Sequence, residues 1–266
     1  MSVESYETEN DLCNDFIQSM EFYGWTTYPE QNGWDILFVR RGIQLGVQAK
    51  LVGGFHVLQQ ALPTLEGKVG PHYRSVLVGR WKTDGDKRMV SDFAKHLRIL
   101  VLESNKSKSY NFGPYSWIDM AYPSNKMNYR RSFGRSYWRA VDWRFYRRRP
   151  DSLEWLPPFV PKLPAGVPGP TNVSKFKVII CEAEILCEYR GWICVSDIKS
   201  LIKKYETKYN PSSLLSGYFK CTHERVEGRR EHKWVSRSRG RPSSYYGYVY
   251  KELKKLCEEG RIPSSK

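Results

Sequence analysis

Apolar positions change period several times along the first hundred residues, and each change marks an element. Over residues 8–23, TENDLCNDFIQSMEFY, the residues Leu12, Phe16, Met20 and Tyr23 recur at helical spacing. Thr8 offers an N-cap, acids fill the first turn and Gly24 ends the helix. A short strand, WTTYP, follows. GWDILFVRRGIQLGVQAKLV (33–52) then reads as two strands back to back, and FHVLQQALPTL (55–65) as a short helix broken near Pro63. YRSVLVGRW (73–81) has the continuous apolar centre of a buried strand. DKRMVSDFAKHL (86–97) is amphipathic, with Met89, Val90, Phe93 and Leu97 expected inward, and ILVLES (99–104) is a short apolar strand. The predicted order is α-β-β-β-α-β-α-β, an α/β domain over residues 1–104.

Further along, the pattern becomes less regular. Residues 105–149 form a basic aromatic extension, and 150–172 a Pro/Gly-rich stretch read as a linker. Residues 173–266 resume with a strong helix, SKFKVIICEAEILCEYR, then SDIKSLIKKYE with Ser196 as N-cap. NPSSLLSGYFK follows, with Pro211 in its first turn. REHKWVSRS and SYYGYVY read as extended, and KELKKLCEEG as a closing charged helix.

Charge sharpens this division. Residues 1–104 hold 11 Lys/Arg and 13 Asp/Glu, whereas 105–149 hold 11 and 2 and 173–266 hold 20 and 11. Two basic parts after a near-neutral one imply a polyanionic partner, most simply nucleic acid. The six cysteines form no CxxC pair, so no zinc site is expected. No apolar run reaches the length of a membrane span, and MSVESYETEND lacks the character of a signal peptide. The expected location is the cytoplasm (of a host cell, if the protein is viral) or the nucleus, with no membrane partner.

The pair of strands over 33–52 carries the chemistry. If Arg41-Gly42 is a two-residue hairpin loop, Arg40 faces Ile43, Phe38 faces Leu45, Ile36 faces Val47, and Asp35 falls opposite Gln48. One face is then apolar (Ile36, Phe38, Ile43, Leu45, Val47, Ala49) and should pack on a helix. The other gathers Asp35, Gln48 and Lys50 at its open end, close enough to share one ion.

An Asp on one strand, Gln-x-Lys on the next and an acid in the preceding helix resemble the PD-(D/E)XK nuclease superfamily, as does the element order. The resemblance covers about residues 5–104 and implies a restriction-endonuclease-like core with a mixed sheet. It implies that Asp35 is the metal-ligating aspartate, that Gln48 stands where Glu is usual, and that Lys50 is the catalytic lysine. Glu9 matches the first-helix acid, with Glu7 as second choice. Trp34 stands where the family has Pro, and Gln48 supplies one charge less. The implied cofactor is Mg²⁺ or Mn²⁺, held by oxygens of Asp35, Gln48, the Ala49 carbonyl and Glu9.

In SYWRAVDWRFYRRR (136–149), Arg139, Arg144, Arg147, Arg148 and Arg149 alternate with aromatics, which either stack on bases or pack on the preceding domain. Residues 173–250 resemble a winged helix, a small α+β domain in which SSLLSGYFK is the candidate recognition helix. Ser212, Ser213, Ser216 and Lys220 are its candidate DNA contacts, with Leu214, Leu215 and Phe219 as core. Arg237, Arg239 and Arg241 belong to a basic wing, and RGRP matches either a wing tip or the core of an AT-hook. Nuclease followed by winged helix also resembles the DNA-cutting subunit of some cut-and-paste transposition systems, and phage or mobile-element nucleases. The expected function is a metal-dependent DNA endonuclease or nickase acting on duplex rather than single-stranded DNA, with a protein partner or homodimer as possible company. The alternatives are a non-catalytic DNA-binding or assembly protein on a decayed nuclease scaffold, and an RNA-directed nuclease.

Overall fold

The structure is a computed structural model that describes residues 6–62, 69–104, 138–140, 150–162, 165, 173–228, 230–237 and 246–261. It divides into two compact units, Met1–Leu156 with Val160–Thr171, and Pro157–Phe159 with Asn172–Lys266.

In the first unit the order is α1 (Glu9–Phe22), β1 (Thr26–Gln31), β2 (Trp34–Arg40), β3 (Ile43–Val52), α2 (Phe55–Ala61), β4 (Tyr73–Arg80), α3 (Asp84–Leu97), β5 (Leu100–Ser104) and β6 (Trp138–Ala140). The six strands form one mixed sheet in sequence order. β1-β2-β3 and β5-β6 run antiparallel, and β3-β4-β5 run parallel through the α2 and α3 crossovers. The fold is thus mixed α/β, and its first eight elements follow the predicted order.

Two tight turns set the register. Arg41 and Gly42 both have positive φ (50° and 76°), as do Asn32 and Gly33 (56° and 82°). This is the geometry that twists a two-residue hairpin correctly, and glycine adopts it without strain. Arg40 accordingly pairs with Ile43, Phe38 with Leu45 and Ile36 with Val47, as expected from the loop.

The sheet is buried on both faces. Leu12, Phe16 and Met20 of α1 pack on Ile36, Phe38, Leu45, Val47, Ala49 and Leu77. Val57, Leu58 and Ala61 of α2 and Val90 and Ala94 of α3 pack on Leu37, Val76 and Val101. The inward face of α3 differs from expectation. It buries Val90, Ser91 and Ala94, while Met89, Phe93 and Leu97 are exposed. The small residues let the helix lie close to the sheet, and the large ones are left outside.

Residues 152–156 lie in the stretch read as a linker, yet they are tied into the first unit. Ser152 bridges Val69, the Glu154 backbone exchanges two hydrogen bonds with the Gln44 side chain (2.8 and 2.9 Å), and Asn32 donates to the Trp155 carbonyl (2.7 Å).

The second unit holds α4 (Lys175–Arg190), α5 (Val195–Lys204), α6 (Pro211–Tyr218), the β7 (Phe219–Arg225) and β8 (His232–Ser236) hairpin, and α7 (Gly247–Glu258). Three expectations are corrected here. α5 is capped by Cys194, not Ser196: Asp197 accepts from the Cys194 amide, and the Ser196 hydroxyl donates to Glu231 instead. Lys220 is in β7 opposite Val235, past the end of α6. GYVY is the first turn of α7, not an extended segment, because Val249, Tyr250, Leu253 and Leu256 continue one helical stripe into the core. Among the described residues no helix is long and apolar enough to cross a membrane.

Candidate functional site

The β2–β3 ladder runs from Arg40↔Ile43 to Ile36↔Val47. One residue further on, backbone pairing gives way to side chains. Asp35 Oδ2 accepts a hydrogen bond from the Ala49 amide at 2.7 Å, and Gln48 Nε2 donates to the Gly33 carbonyl at 2.6 Å. A strand residue turns its N–H and C=O to the same side, so the Ala49 carbonyl faces the gap that Asp35 occupies. Asp35 Oδ1 and Gln48 Oε1 receive no hydrogen bond from the described residues. Lys50, two positions beyond Gln48, extends to the N-terminus of α1. Its ammonium nitrogen lies 2.9 and 3.1 Å from the two Glu9 oxygens. Glu9 is held there because Thr8 caps the helix reciprocally with Asp11.

The electrostatics show where charge is strained. Burial pushes the Asp35 carboxyl above its usual range; the Ala49 amide and Lys50 oppose this, and Glu9 adds to it. Burial also raises the neighbouring Cys13 thiol, and the charges of Asp35, Glu9 and Glu30 raise it further. Cys13 is fully buried in the core. Glu30 was not anticipated. Pro29↔Ile36 and Gln31↔Trp34 bracket it, so it stands at the ladder position opposite Asp35. The Asn32-Gly33 dipeptide, a strong two-residue turn signal, would have exposed this register.

The structure thus brings Asp35, Gln48, Ala49, Lys50 and Glu9 to one end of the β2–β3 pair. Among the described residues no three His, Cys, Asp or Glu side chains are arranged to hold a metal. The oxygen set that remains is one carboxylate, one amide and one backbone carbonyl. All three are hard donors of the kind Mg²⁺ and Mn²⁺ take, and the under-compensated Asp35 charge is the feature a cation would relieve.

No protein-family model, curated protein or solved structure matches this chain.

In the second unit Ser212, Ser213 and Ser216 are exposed along α6, whose first turn is fixed by Asn210 Oδ1 accepting from the Ser212 and Ser213 amides. Leu214, Leu215 and Phe219 are buried. Lys220 is exposed on β7. Arg237 turns back on the protein, donating to the carbonyls of Phe219 (3.0 Å) and Ser216 (2.8 Å), so it braces the hairpin against α6. Exposed Lys199 and Lys203 on α5 add positive charge that the sequence reading passed over. The backbone of Arg139 lies in β6, opposite Glu103. The side chain of Arg139, and all of Arg144, Arg147, Arg148, Arg149, Arg239 and Arg241, lie outside the described residues.

Proposed function

We propose that this chain is a metal-dependent endodeoxyribonuclease or nickase of the PD-(D/E)XK type, whose second unit grips duplex DNA. The observation that carries the reading is the end of the β2–β3 ladder. There a half-buried carboxylate, an amide oxygen and a lysine stand together, and a helix-borne acid clasps the lysine. Asp35, Gln48 and the Ala49 carbonyl would hold Mg²⁺ or Mn²⁺, which polarises a phosphate and supplies hydroxide from bound water. Lys50 is the group that meets the phosphate: its ammonium donates to the oxygen on which charge develops. Glu9 is a positioning residue, since both its oxygens are engaged with Lys50. Gln48 is oriented by the Gly33 carbonyl, which takes its amide nitrogen and leaves its oxygen for the cation.

The α4–α5–α6 helices followed by the β7–β8 hairpin support a winged-helix reading of the second unit, with α6 as the helix for the major groove. Its hydroxyls and Lys220, with the basic residues of 105–149, would meet DNA.

A second reading is favoured by the same site. The amide at Gln48 and the absence, among the described residues, of three metal-competent side chains also suit a non-catalytic DNA-binding or assembly protein on a decayed nuclease scaffold. Supercoiled, linear and single-stranded DNA incubated with Mg²⁺ or Mn²⁺ separates the two. Metal-dependent cleavage that Lys50→Ala abolishes supports the nuclease. Tight DNA binding with no cleavage under either metal supports the scaffold.

A further inference from the structure

The turn between β1 and β2 is gripped by the strap that residues 152–156 form. Asn32 Nδ2 donates to the Trp155 carbonyl at 2.7 Å, and Trp34 Nε1 donates to Glu154 Oε1 at 3.3 Å. Two adjacent strap residues thus hold the two positions that flank Gly33. Gly33 is the residue whose carbonyl takes the Gln48 amide at 2.6 Å, and Asp35 follows Trp34 directly. Asn32 and Gly33 have φ of 56° and 82°, and glycine alone restrains its backbone little. The grip on both neighbours supplies that restraint. The strap is itself anchored. The Glu154 backbone exchanges hydrogen bonds of 2.8 and 2.9 Å with the buried Gln44 side chain, and Leu156 packs against the core cluster that contains Trp34 and Leu37. Burial raises the Glu154 carboxyl above its usual range, while the Trp34 hydrogen bond, the Arg74 charge and the Asn32 hydrogen bond oppose this.

We propose that Glu154 is a positioning residue for the candidate metal site: by holding Trp34 it fixes the Gly33 carbonyl on one side and the Asp35 carboxylate on the other, and so sets how tightly a cation is held. Its hydrogen bond acts on both side-chain ligands at once, on Gln48 through Gly33 and on Asp35 through the chain itself. Groups that orient metal ligands in this way typically change affinity 10–100-fold when removed. The site therefore draws on a residue 120 positions beyond Trp34. The inference rests on the nuclease reading for the cation; the mechanical link from Glu154 to Asp35 stands without metal.

Mn²⁺ calorimetry and amide exchange at Ala49 by NMR, the latter without metal and both on the full chain without DNA, test it. Glu154→Ala should weaken Mn²⁺ binding at least ~10-fold and speed exchange of the Ala49 amide, which donates to Asp35. Trp34→Phe keeps an aromatic ring but deletes the donor. It should do the same, and the double variant should lose no more than either single one. Glu154→Gln keeps an oxygen for the indole and removes the charge beside Arg74. It should melt below the wild type yet bind Mn²⁺ within about 3-fold of it. Val90→Ala, a core truncation on α3, should lower the melt and leave affinity unchanged. Unchanged Ala49 exchange in Glu154→Ala overturns the proposal. So does unchanged affinity against a wild type that binds metal, or a loss that Val90→Ala reproduces or Glu154→Gln fails to restore. A wild type that binds neither Mg²⁺ nor Mn²⁺, while Glu154→Ala still speeds Ala49 exchange, overturns the nuclease reading and leaves the positioning link standing.

Discussion

Gly46 is where the candidate site is most sensitive to a single methyl group. A Cβ at this position would lie 2.5, 2.6 and 2.7 Å from three ring atoms of Trp34, inside any real van der Waals contact. The indole cannot easily retreat. It is buried, its Nε1 donates to Glu154 (3.3 Å), and Glu154 is in turn held by Gln44. Gly46→Ala is therefore an overpacking substitution, costing about 1–3 kcal/mol. At ~2–4 °C per kcal/mol for a unit of this size, the melting temperature should fall by roughly 2–12 °C. Trp34 adjoins both Asp35 and Gly33, so metal affinity should fall as well. Thermal unfolding followed by tryptophan fluorescence measures the first effect, and metal titration the second. In a Trp34→Leu background the extra methyl meets nothing rigid, and Gly46→Ala should then cost less than ~0.5 kcal/mol. An unchanged melt for Gly46→Ala alone, or the same loss in both backgrounds, would refute the claim that the indole is pinned over the glycine.

Asp35 should impose a pH signature. Its folded carboxyl titrates above the unfolded value of ~3.9, so the stability its neutral form contributes is present below that pH and lost as pH rises through the folded value. Metal-free Asp35→Asn should thus melt above the wild type at pH 7 and level with it in strong acid, and Mg²⁺ should raise only the wild-type melt; a less stable variant at pH 7 contradicts this. Gln48→Glu sets a carboxylate against the Gly33 carbonyl and should cost about 1–3 kcal/mol without metal, yet bind metal more tightly by calorimetry. The Lys50–Glu9 pair is 24% and 27% exposed, so a double-mutant cycle should give no more than about 1 kcal/mol. A larger value would show that the pair is structural. Lys220→Ala should reduce the salt dependence of DNA binding by a slope of about 1 with no change in melting, whereas Arg237→Ala should lower the melting temperature.

The hairpin was legible because two constraints coincide in it. Arg41-Gly42, taken as a two-residue loop, sets the pairing, and period-two burial then fixes which side chains share a face. Asp35, Gln48 and Lys50 follow from that register alone. Glu9 was named only through a family resemblance, since no local pattern ties a helix N-terminus to a strand. Glu30 was missed because its position depends on the neighbouring Asn32-Gly33 turn. On α3 the strongest apolar stripe was read as the buried one, but small residues approach a flat sheet more closely than Phe and Met. In SYYGYVY aromatic and β-branched residues suggested a strand, and only the continuing stripe through Leu253 and Leu256 makes the segment helical.

The strap at 152–156 has a consequence for synthesis. Its partners, Asn32, Trp34 and Gln44, leave the ribosome more than a hundred positions earlier. Even after β5 has emerged, roughly 50 more residues must be made, which takes about 2–10 s at typical elongation rates. For the earlier part of that interval, until β6 has been made, the nascent sheet also has an open β5 edge, a ready template for pairing with a neighbouring nascent chain. Translation speed across residues 105–150 should therefore govern soluble yield, and synonymous codons that slow it should increase aggregation without altering a single residue.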